Sequence, residues 1–286
     1  MIVSRWEGHD AALTYRRWGH GDTHVVFLHG VLRRWDTFLP LVLPLAAHYT
    51  TIAVDLRGHG GSSHPACGYR VCDYLSDVVD WLRDEIRHPV VLYGHSLGAL
   101  VAAGAAAQLP QQVQSVILED PPFQTLGRRI RETRWHSYFT AMVPLAGSRQ
   151  PLPELVAQLA ALKFRDPAGG ETMCLGRLRD AVALRFMADC LREVAPQALE
   201  AIVDGGWLAG YDERQTLARL TKPSLLLQAD PAAGGMLSDA DAELAHSIAA
   251  DMSLVKLAGA GHWMHGTRTQ EVLNLVTAFL ATLGPS

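Results

Sequence analysis

Charge is what this chain has least of. Charged residues fill 19% of its 286 positions and their formal balance is −4, so neither a nucleic-acid footprint nor a polybasic membrane patch is expected. Cysteine is scarce. Cys67, Cys72, Cys174 and Cys190 have no zinc-like spacing, and free thiols in a reducing cytoplasm are the simplest reading. No apolar run reaches the roughly 18 residues of a membrane span. The opening residues Met1-Ile2-Val3-Ser4-Arg5-Trp6-Glu7 lack the charged-then-apolar order of a signal peptide. Neither G-x-G-x-x-G nor a P-loop follows any apolar run, which argues against a nucleotide cofactor. No cluster of histidine and aspartate has ligand spacing, so no metal is expected. Repeats and low-complexity linkers are absent too. These absences leave a cytoplasmic, cofactor-free globular protein whose partner is a small molecule. Its oligomeric state is not legible.

Hydrophobic residues make up 49% of the chain, enough for a large core. They fall first into short strand-like runs: residues 12–18, 25–28, 51–54, 90–93 and 113–118. Residues 71–86 have helical spacing, with Asp73, Asp77, Asp80 and Asp84 reading as a solvated face. A small-residue helix follows at 97–108. Strand and helix in alternation imply a mostly parallel sheet covered on both faces, with function at the carboxyl ends of its strands. From residue 123 to 210 the pattern becomes helical throughout (128–142, 152–164, 177–194 and 196–203) and reads as an inserted cap. Alternation resumes with a strand at 224–228, a helix at 239–250, a strand at 253–257 and a helix at 269–283. The expected division is a core of 1–122 and 211–286 with a helical cap of 123–210.

Gly94-His95-Ser96-Leu97-Gly98 lies between an apolar strand and a helix, the context a G-x-S-x-G nucleophile elbow requires. The alternative is a tight turn with a capping serine. A serine hydroxyl is a weak nucleophile and needs an adjacent base. Gly259-Ala260-Gly261-His262 places a histidine after a late strand, so His262 is the candidate general base and acid. Asp230, at the end of the strand before it, is the default carboxylate. The order Ser96, Asp230, His262 then matches the order known for this elbow.

On the elbow, His29-Gly30, Asp55-Leu56-Arg57-Gly58-His59-Gly60-Gly61-Ser62 and Gly261-His262, the chain resembles the α/β-hydrolase superfamily, in particular its small capped esterases and its lipase-like and carbon–carbon-bond hydrolases. The resemblance covers nearly everything outside residues 123–210. It implies an oxyanion hole built from the backbone N–H groups of Val31 and Leu97. Some relatives carry the acid at the end of the preceding strand instead, which makes Asp120 the alternative, with Glu119 after it. His29, Gly30, Arg34, Trp35, Trp135, Phe139 and Trp263 are candidates for the substrate pocket. Arg128, Arg129, Arg131 and Arg134 could attract an acidic substrate, although a solvated helix face is the simpler reading. The expected activity is cleavage of an ester, lactone or similar activated carbonyl of a small, largely apolar substrate through an acyl-enzyme. Carbon–carbon-bond or amide hydrolysis with the same residues is the near alternative. A small-ligand receptor on a hydrolase scaffold is the distant one.

Overall fold

Two sets of apolar side chains, interleaved along each central strand, organise the structure, which is a computed structural model describing residues 1–165, 170 and 172–284. The strands are β1 (Ile2–Glu7), β2 (Ala12–Trp18), β3 (His24–Leu28), β4 (Thr50–Asp55), β5 (Val90–His95), β6 (Val113–Glu119), β7 (Lys163–Arg165), β8 (Thr172–Cys174), β9 (Ser224–Ala229) and β10 (Met252–Leu257). Eight of them form one sheet in the order β1-β2-β4-β3-β5-β6-β9-β10. β2 runs antiparallel to both its neighbours, and every other pairing is parallel.

Every residue of β4, β5 and β9 is buried, which is why these strands read as continuous apolar runs. Their side chains alternate between the two faces. Val26, Leu28, Leu92 and Val116 pack with helices Val71–Glu85 and Leu97–Gln108 on one face. Val25, Phe27, Val91 and Ile117 pack with helices Leu39–Leu45 and Thr269–Ala281 on the other. One aspartate of the expected solvated face departs from it. Asp77 is buried at 5% exposure and takes Arg57 Nε and Nη2 at 2.5 Å each, because the loop after β4 folds down onto that helix.

The chain passes from β3 outward to β4 and then returns to β5 on β3's other side. The loops leaving β3 and β5 therefore diverge, and the crevice at such a switch point is where open α/β sheets bind ligands. Gly30-Val31 leave β3 there and Ser96 leaves β5.

The residues between β6 and β9 cover this crevice with helices Arg134–Met142, Leu152–Ala161, Ala181–Leu191 and Pro196–Val203. The expectation of helix throughout is not met. β7 and β8 pair antiparallel, and the helix foreseen over 152–164 ends at Ala161. Leu162-Lys163-Phe164-Arg165 alternates buried and exposed, a period of two that belongs to a strand. The segment is tied to the loop after β4: Ala195 N donates to Gly58 O at 2.8 Å and Gly60 N to Glu193 O at 3.0 Å. Among the described residues no helix is long and apolar enough to cross a membrane.

Candidate active site

β5 ends in a turn that holds Ser96 at φ 55°, ψ −115°, a conformation that costs a non-glycine residue energy and is kept only where its surroundings enforce it. Here they do. The Ser96 amide donates to Glu119 O at 2.9 Å, and Gly98 N donates to His29 O at 3.1 Å, clamping the turn to the strands on either side. Both glycines are obligatory. A Cβ at Gly98 would lie 1.9 Å from Leu28 O, and one at Gly94 would lie 2.1 Å from Gly98 O. The helix then runs away from Ser96, leaving its side chain at the head of the helix, on the wall of a cavity of about 220 Å³.

His262 lines the same cavity. Its Nδ1 is 2.6 Å from Asp120 Oδ2, and its Nε2 has no hydrogen-bond partner among the described residues. Asp120 is fully buried and sits at φ 45°. Its carboxylate also accepts from the amides of Ala229 (3.1 Å), Met236 (2.8 Å) and Leu237 (3.2 Å). Four donors hold it in one orientation, with one oxygen facing the imidazole.

The carboxylate that meets His262 is therefore Asp120, the alternative, and not Asp230, the default. Asp230 makes no hydrogen bond to His262 among the described residues. Its Oδ1 accepts from Ala232 N and its Oδ2 from Gly259 N, both at 2.9 Å, and these amides hold its carboxyl below the usual range. It caps a turn at the rim. β9 contributes the Ala229 amide to Asp120, and the loop after it contributes those of Met236 and Leu237.

Glu119, named after Asp120, belongs to a second pair beneath the first. It accepts from His265 Nδ1 at 2.7 Å and from Tyr93 Oη at 2.5 Å. Trp263 Nε1 donates to His265 Nε2 at 2.8 Å, and an indole N–H can only donate, so the His265 proton is on Nδ1 facing the carboxylate. Burial alone would raise the Glu119 carboxyl, but the facing His265 imidazole and the hydrogen bonds from His265 and Tyr93 hold it down at about 2. His95 packs between the two pairs, its ring 4.6 Å from His262 and 5.0 Å from His265. Its Nε2 donates to His262 O at 2.9 Å, and burial keeps it neutral. This layer supports the backbone of the histidine loop from below.

The amides of Val31 and Leu97 donate no hydrogen bond within the described residues, although Leu97 is fully buried. Val31 lies on the cavity wall, and Leu97 opens the helix, where unpaired N–H groups and the helix dipole favour negative charge.

Of the expected pocket residues, Trp135, Phe139 and Trp263 line the cavity, and His29, Gly30, Arg34 and Trp35 do not. His29 is buried beneath it and accepts from Leu56 N through Nε2 at 3.0 Å. Gly30 is held against the His95 ring. Arg34 is bound to Asp36, Asp189 and Glu193 at 2.6–2.9 Å, and Trp35 stacks on Trp18 with Arg16 over its ring. The residue the sequence reading missed is Arg33, which does line the cavity. The backbone of Arg34 is extended (φ −146°, ψ −179°), and neighbours in extended chain point to opposite sides. Arg179 lines the cavity as well, and so does Arg134 from the basic stretch, whereas Arg129 pairs with Asp241.

A mostly parallel, helix-covered sheet with a strained serine, a carboxylate-held imidazole and two free amides at its switch point defines the class. A family model described as "Alpha/beta hydrolase family" matches residues 25–275, and the chain belongs to that family. It is 28% identical over 277 residues to a 2-(acetamidomethylene)succinate hydrolase of Mesorhizobium japonicum, covering 94% of this chain and 91% of that one. It is 30% identical over 276 residues to a pimeloyl-[acyl-carrier protein] methyl ester esterase of Xanthomonas oryzae pv. oryzae, covering 93% and 97%. Among solved structures, that of E-2-(acetamidomethylene)succinate hydrolase superposes with a TM-score of 0.74 at 26% identity, over 98% of this chain and 99% of the other. These relatives are hydrolases.

Proposed function

We propose that the protein is a serine hydrolase that cleaves an ester, amide or similar carbonyl derivative of a small substrate through an acyl-enzyme. The observation that carries this reading is the 2.6 Å contact of His262 Nδ1 with the buried Asp120 carboxylate, on the cavity that Ser96 also lines. In this reading Ser96 Oγ attacks the carbonyl carbon and His262 Nε2 takes its proton. Asp120 stabilises the imidazolium and fixes the tautomer that leaves Nε2 free to accept. The oxyanion rests on the amides of Val31 and Leu97, where two preorganised donors are worth several kcal/mol. His262 then protonates the leaving group, and water activated by the same nitrogen releases the acid. Residues 123–210 act as a cap that walls the acyl side. One relative is named for a methyl ester and another for an acetamido compound, so the bond cleaved is an ester or an amide.

The test is multiple turnover on a panel of p-nitrophenyl esters and anilides, with fluorophosphonate labelling of Ser96. Ser96→Ala is expected to lose label and to lower kcat by about 10⁴-fold or more while leaving the far-UV spectrum unchanged. Normal rates in that variant would remove Ser96 from the mechanism. Wild-type protein that turns over once and stays acylated would favour a ligand receptor on the same scaffold.

A further inference from the structure

The cavity beside Ser96 carries three guanidinium groups, those of Arg33, Arg134 and Arg179, and among the described residues no aspartate or glutamate lines it. Four buried or partly buried arginines elsewhere in the fold meet carboxylates: Arg16 has Asp55, Arg34 has three acids, Arg57 has Asp77 and Arg129 has Asp241, whereas Arg33 and Arg134 are half-buried and Arg179 is exposed at the mouth. The three in the cavity have none among the described residues. Arg33 donates Nη1 to Leu32 O at 2.9 Å, and its Nε is buried without any partner. Aromatic rings hold its position, Trp263 at 5.1 Å and Phe186 at 5.9 Å from the guanidinium carbon. Asp36, the acid nearest in sequence, is engaged with Arg34. Burial pulls the Arg33 guanidinium below its ordinary value, and Asp36 opposes this only weakly through space, yet arginine stays charged in proteins.

A half-buried cation with no carboxylate paired to it is relieved when an anion enters. Arg33 stands two residues beyond Val31, one of the two free amides, so an anion on it is a short spacer away from a carbonyl at Ser96. The remaining wall is apolar, with Trp135, Phe139, Leu175 and Met187, and about 220 Å³ suits a small compound. We infer that the substrate carries a carboxylate, gripped by Arg33 with Arg179 and Arg134 beside it, so that the enzyme acts on half-esters or half-amides of short dicarboxylic acids. It differs from the expectation of a largely apolar substrate. It rests on the hydrolase reading for the reaction but not for the binding.

The experiment therefore has two arms. In the first, monomethyl succinate, glutarate and adipate are compared with methyl butanoate, pentanoate and hexanoate, which carry a methyl in place of the free carboxylate. At least one half-ester is expected to exceed its neutral partner in kcat/KM by about tenfold or more, and Arg33→Met is expected to remove that ratio, whereas Arg33→Lys retains part of it. In the second, the Ser96→Ala protein is titrated with glutarate, 1,5-pentanediol and inorganic phosphate by calorimetry and thermal shift. Glutarate is expected to bind and to raise Tm, and pentanediol is not. Binding of glutarate without turnover of any of these esters or of the ester and anilide panel would uphold the carboxylate site and refute the hydrolase. Hydrolysis that favours the neutral esters, or phosphate binding more tightly than glutarate, would overturn the carboxylate inference. These wild-type ratios and titrations decide the matter even if the Arg33 variants fail to fold.

Discussion

Glu119 and Asp120 are neighbours in the chain with different partners, His265 and His262, at 2.7 and 2.6 Å. The end of β6 explains the division: Glu119 is its last residue, and the left-handed turn at Asp120 directs the next side chain elsewhere. Asp120 and Asp230 are harder to separate from sequence. They stand just beyond β6 and β9, adjacent strands of the sheet, and both ends approach the same histidine loop. Asp120 is buried under four donors, and Asp230 sits at the rim with two amides. Asp120→Asn is accordingly expected to lower kcat by about 10³–10⁴-fold, because the amide no longer enforces the tautomer. Asp230→Asn is expected to stay within about threefold, since an exposed turn cap contributes little to a transition state. Steady-state kinetics of the two variants on one ester separates them, and a severe Asp230→Asn defect would return the acid to β9.

At the scale of elements, the elbow shows how a motif becomes geometry. Its outer glycines are required by contacts with backbone, at Leu28 O and Gly98 O, which cannot move aside as a flexible side chain can. Gly98→Ala must push β3 and the helix apart, and it is expected to cost about 2–3 kcal/mol of stability. Gly206 is the control. Nothing lies within 4 Å of a Cβ built there and its φ is not positive, so Gly206→Ala should shift stability by less than about 1 kcal/mol. Urea unfolding of both variants checks the pair, and equal midpoints would show that the elbow tolerates widening. The segment between β6 and β9 shows the limit of periodicity. Its helices were legible, but the β7–β8 hairpin was not, because a three-residue strand offers too little alternation to outweigh the helical pattern before it.

For the molecule as a whole, histidines buried under the site set the acid limit. Burial holds His29 down at about 4, and burial together with neighbouring His29 holds His59 at about 3, both below the ordinary 6.5. The folded chain thus binds fewer protons than the unfolded one as pH falls below 6.5. The stabilisation is complete above that pH and is lost as acid protonates the unfolded chain. Between pH 7 and 5 each of these histidines is expected to cost roughly 2 kcal/mol, read as a fall in the urea midpoint; a flat profile would show that they stay accessible to protons. Sequence by itself determined the alternation of strands and helices in the core and singled out the serine and the histidine, and the family resemblance pointed to the two amides. Each of these is written in its immediate neighbours, as a glycine that permits a turn or an apolar run that needs covering. Tertiary structure alone decided which carboxylate meets His262, 142 residues away in the chain, and which of two adjacent arginines turns into the cavity. Those choices depend on which strands lie side by side and on which groups burial leaves without a counter-charge, and neither is a property of any local stretch of sequence.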